Sequence, residues 1–89
     1  MSSFRLEIRV TPRPGLLDPE GAAIQHALDS LGYHAVSDVR VGKALYVDVG
    51  ADSEGAAVTL GEAMCRKLLA NPVTEDFSVE IHHSSVAGA

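Results

Sequence analysis

Positions 17 to 33 spell a helix together with both of its ends: Leu-Asp-Pro-Glu-Gly-Ala-Ala-Ile-Gln-His-Ala-Leu-Asp-Ser-Leu-Gly-Tyr. Asp18 is an N-cap, its carboxylate suited to accept from the free amides of the first turn. Pro19 follows at the first helical position, where a missing N–H costs nothing. Glu20 sets negative charge at the positive end of the helix dipole, and Leu17 with Ala22 forms a weak hydrophobic staple. Ile24, Ala27, Leu28 and Leu31 recur at helical spacing as one apolar stripe. Gly32 stands where a left-handed residue closes a helix. Such a stripe needs cover, and the strands and second helix elsewhere in the chain are expected to pack around it.

The rest of the chain divides around this helix. Residues 4–10 alternate, with Phe4, Leu6, Ile8 and Val10 on one side and Arg5, Glu7 and Arg9 on the other, which is the pattern of a half-buried strand. Pro12 and Pro14 end it. Residues 36–41 and 44–49 read as two strands joined at Gly42-Lys43 in a hairpin. Residues 54–69 read as a second helix with Ala57, Leu60, Met64 and Leu68 as its inward stripe, capped near Asp52 or Ser53. Gly55 and Gly61 weaken that helix by about 1 kcal/mol each, so Gly61 either tolerates a loss or permits a close approach. Asn71-Pro72 stops it, and Phe77, Val79 and Ile81 alternate in a last strand. The order βαββαβ is that of an α+β, ferredoxin-like fold: an antiparallel sheet with two helices on one face. One domain over residues 1–82 is expected, with 83–89 as a disordered tail.

Charge and composition exclude several functions. The 89 residues carry a net charge of −5, the wrong sign for nucleic acid or an anionic membrane. One cysteine, Cys65, forms no internal disulfide and has no metal-ligand spacing around it. No signal peptide or apolar span is present, which implies a cytoplasmic protein. With no Trp, two Phe and two Tyr, the core is thin, and thin cores are often completed by a partner.

No catalytic set emerges from the residues. His26 lies off the stripe of its helix, and His34 has no base or nucleophile beside it. His82 and His83 are adjacent strand-end residues that point to opposite faces. Cys65 reads as a buried, inert thiol. Gly42-Lys43 lacks the glycine spacing of a phosphate loop. The open face of the sheet offers Tyr46 alone as an aromatic, too little for an RNA-binding sheet.

Leu17-Asp-Pro-Glu-Gly, Gln25-His-Ala-Leu, Leu31-Gly-Tyr, Val39-Arg-Val-Gly-Lys, Met64-Cys-Arg-Lys-Leu-Leu-Ala-Asn-Pro-Val and Glu75-Asp-Phe occur in that order over residues 4–81. Together they resemble the PurS family, the small subunits of phosphoribosylformylglycinamidine synthase. The resemblance implies a non-catalytic assembly subunit in de novo purine synthesis. It would bridge a large synthetase subunit and a glutaminase subunit, so that ammonia passes between them, and would associate with itself as a homodimer or dimer of dimers. It implies no cofactor in this chain, ATP and Mg being used by the synthetase subunit. Asp18, Pro19, His26, Arg40, Gly42, Lys43, Asn71 and Pro72 fall in the matching motifs and are expected to be interface or fold-defining residues. Two other readings of the topology place a site in the loop 11–16. One is an amino-acid-binding regulatory module; the other is an acylphosphatase-like enzyme using Arg13.

Overall fold

In the computed structural model, which describes residues 2–82, strand β1 (Ser2–Pro12) is the middle of a three-stranded antiparallel sheet. Strand β2 (Lys43–Ala51) pairs along one edge and β3 (Glu75–Ile81) along the other. The alternation of β1 sets its two faces. Leu6, Ile8 and Val10 are fully buried, and register places Leu6 between Val47 and Ile81, and Ile8 between Leu45 and Val79. Cross-strand rows of this kind make the sheet one apolar surface.

Helix α2 (Glu54–Met64) covers that surface, packing against all three strands. Ser53 caps it, its Oγ accepting from the Ala56 amide at 3.1 Å. The helix runs on through a π-helical turn, Cys65–Leu69, closed by the Ala70 N–H donating to the Cys65 carbonyl at 3.0 Å. The expected inward stripe is displaced. Ala57, Gly61 and Cys65 face the sheet and are buried, whereas Leu60 and Leu68 are exposed. Small residues win this face because they let the helix axis approach closely. A Cβ on Gly61 would lie 2.8 Å from both Leu6 Cδ1 and Val79 Cγ1. The glycine therefore serves a close approach, to side chains of the sheet.

Helix α1 (Pro19–Ser30) has the ends the sequence specifies. Asp18 caps it, and Gly32 closes it at φ +99°. The Gly32 amide donates to Asp29 O and the Tyr33 amide to Leu28 O, each at 3.0 Å, which is a Schellman closure. The helix does not, however, organise the core. It packs against none of the strands to an extent comparable with α2, and its stripe lies largely open. The core instead joins β1 with Ala51, Ala57, Cys65 and Ala70.

The α+β class, the antiparallel sheet and the two helices are as the sequence predicts, but the fourth strand is not. Residues 36–41 join no sheet, so the expected hairpin at Gly42-Lys43 is absent and Lys43 already belongs to β2. The valines at 36, 39 and 41 do not keep a strict two-residue period. Backbone groups of this segment are spent on α1: the Ser37 carbonyl accepts from Gln25 Nε2 at 3.0 Å, and the Val41 amide donates to Asp18 at 2.8 Å. The tail expected at 83–89, His83 included, lies outside the described residues.

Gly61→Ala should lower stability by about 1–3 kcal/mol through overpacking. Gly55→Ala, which meets nothing closer than Ser53 Oγ at 3.9 Å, should be neutral or stabilise by up to about 1 kcal/mol. Thermal melts of the two variants check this, and equal shifts would contradict the close helix–sheet approach.

Candidate functional site

The residues singled out by sequence gather in two places, with His26 apart from both. The first is the start of α1. One Asp18 oxygen accepts from the Gly21 amide at 3.0 Å and caps the helix; the other accepts from the Val41 amide at 2.8 Å. One carboxylate thus starts a helix and clips a distant segment to it. Arg40 reinforces the join, donating through Nη1 to the Leu16 carbonyl at 2.6 Å and pairing with Asp38 at 3.4 Å. These hydrogen bonds, Gly21 first and Val41 second, hold the Asp18 carboxyl below the usual carboxylate range, with Arg40 adding to the effect. Pro19 opens the helix beside the clip. Gly42 follows it closely, where a Cβ would lie 2.7 Å from the Val10 carbonyl, and Lys43 begins β2 opposite Val10.

Gly21 is a member of this join that the sequence reading missed. It is buried, and a Cβ there would lie 2.1 Å from the Val39 carbonyl. A glycine in the first turn of an otherwise strong helix is the signal that marks such contact.

The second place is the turn before β3. Asn71 organises it: its carbonyl accepts from the Thr74 and Glu75 amides at 3.1 and 2.8 Å, and its side chain accepts from the Val73 amide at 3.0 Å. The Pro72 carbonyl accepts from the Arg13 guanidinium, which also pairs with Asp76 at 3.5 Å. Arg13 is therefore committed to its own chain, in the loop where the amino-acid and acyl-phosphate readings need an open site. His26 lies on α1, exposed, at a shallow depression shared with Ala22, Gln25, Asp29 and Val36. His34 pairs with Asp29 at 2.7 Å, and the His82 ring meets Tyr46 edge-on at 5.0 Å. Burial pushes the Cys65 thiol up and away from reactivity. Among the described residues, no three His, Cys, Asp or Glu converge as metal ligands, and no helix is long and apolar enough to cross a membrane.

The arrangement is therefore one of surfaces. Leu17 is 86% exposed and Leu31 74%; with Leu16 they flank α1, and Ile24 within it is exposed as well, so the helix and its two ends bear apolar side chains toward solvent. The inner face of β2 (Leu45, Val47, Val49) is only half-buried under α2. The radius of gyration is 16.6 Å, against about 12 Å for a compact domain of this length. The described fold is thus more extended than a compact domain.

Comparisons with known proteins agree on one family. The family model PurS, described as phosphoribosylformylglycinamidine (FGAM) synthase, matches residues 5–83. The chain is 44% identical over 79 residues to the phosphoribosylformylglycinamidine synthase subunit PurS of Synechocystis, covering 89% of this chain and 79% of that one. It is 40% identical over 78 residues to the Bacillus subtilis subunit, covering 88% and 92%. Among solved structures, a chain of the PurLQS structure from Thermotoga maritima superposes with a TM-score of 0.83 at 30% identity, over 92% of this chain and all of that one (100%). Bacillus subtilis PurS superposes at 0.76 with 39% identity, over 90% and 99%.

The clip at Asp18 has a defined pH dependence. A carboxyl whose pKa is lowered by folding stabilises the fold above the ordinary carboxylate value, and that contribution is lost as pH falls through the lowered one. The Gly21 and Val41 amide shifts in NMR spectra should therefore stay constant from neutral pH to about pH 4 and move together below it. Asp18→Asn leaves one accepting oxygen for two amides, so one of them should exchange faster at neutral pH. Constant shifts throughout, or unchanged exchange in the variant, would contradict the double hydrogen bond.

Proposed function

The chain belongs to the PurS family, and from that premise we propose how it works as an assembly subunit of phosphoribosylformylglycinamidine synthase. It makes and breaks no bond itself. It holds a synthetase subunit and a glutaminase subunit in one complex, the glutaminase releasing ammonia from glutamine and the synthetase using ATP and Mg. Ammonia is nucleophilic and ammonium is not, so transfer must avoid equilibration with water. A bridge that fixes two sites relative to each other raises the effective concentration of the carried molecule without touching it. The reaction belongs to de novo purine synthesis in the cytoplasm.

The observation that carries this reading is the uncovered apolar stripe of α1 on an expanded chain. A stripe with both helix ends built firmly is a prepared surface and is not a failed core. Its first occupant is a second copy, which offers the half-buried inner face of β2 in return. Exchange of apolar cover between two copies gives a symmetric pair, and a dimer presents two sets of outer surfaces for larger partners. Asp18, Pro19, Arg40, Gly42 and Lys43 serve this by fixing the direction of α1 and of the segment clipped to it. Asn71 and Pro72 fix the opposite end, and His26 lies on the presented helix.

The purified chain alone should show no glutaminase or ligase turnover. Mixed with both larger subunits, substrate nucleotide and glutamine, it should restore glutamine-dependent turnover, while ammonia-dependent turnover by the synthetase subunit changes little. Separate elution of the three under turnover conditions would overturn the assembly role.

A further inference from the structure

We draw no further inference here: the strongest candidate, the outer edge of β2, which pairs with no strand among the described residues, belongs to the self-association surface already proposed, and nothing in the structure shows another occupant for it.

Discussion

The close approach of α2 to β1 decides most of this structure. It is possible because the helix meets the sheet through Ala57, Gly61 and Cys65, small groups that bring the backbone down onto Leu6, Ile8 and Val10. One helix at that distance seals the middle strand and leaves the sheet's flanks half-covered. A second helix is needed to finish the layer, and α1 does not do so within its own chain. The large apolar residues Leu60 and Leu68 are turned outward by the same choice of face. The apolar area left over is the surface that the proposed second copy would cover.

The elements were legible to the extent that local chemistry specifies them. Asp18, Pro19 and Gly32 placed α1 almost to the residue, because capping is a short-range interaction between neighbours. The alternation of β1 gave both its strand and its buried side. What failed was longer in range. For the inward face of α2, hydrophobic spacing favours Leu60 and Leu68, whereas close packing favours small residues, and periodicity does not weigh the two. Residues 36–41 resembled a strand, yet Asp18 and Gln25 take up backbone groups that a ladder would use. A side chain more than ten positions away decides that competition, and local pattern contains no trace of it.

Of the candidate residues, Asp18 and Arg40 meet in one join, and Asn71 and Pro72 in another held by Arg13. Local spacing specifies Asp18 as a cap, but the second hydrogen bond of the same carboxylate, to the Val41 amide, has no local signal. Gly21 was readable in principle as a glycine where alanine would serve the helix better. The acylphosphatase-like reading needs a free Arg13, whereas its guanidinium is held by the Pro72 carbonyl and Asp76 of its own chain. The open sheet face carries an exposed Arg5–Asp48 ion pair at 2.7 Å, a pair of a kind that adds little stability by itself.

The central claim is that the apolar stripe of α1 finds its cover in a second copy. Thermal unfolding of the isolated chain over a wide range of protein concentration tests it most directly, since association that stabilises the native state makes the melting temperature depend on concentration. The account predicts a midpoint that rises steadily as the protein is concentrated. A midpoint independent of concentration, with a scattering mass of one chain throughout, would contradict it.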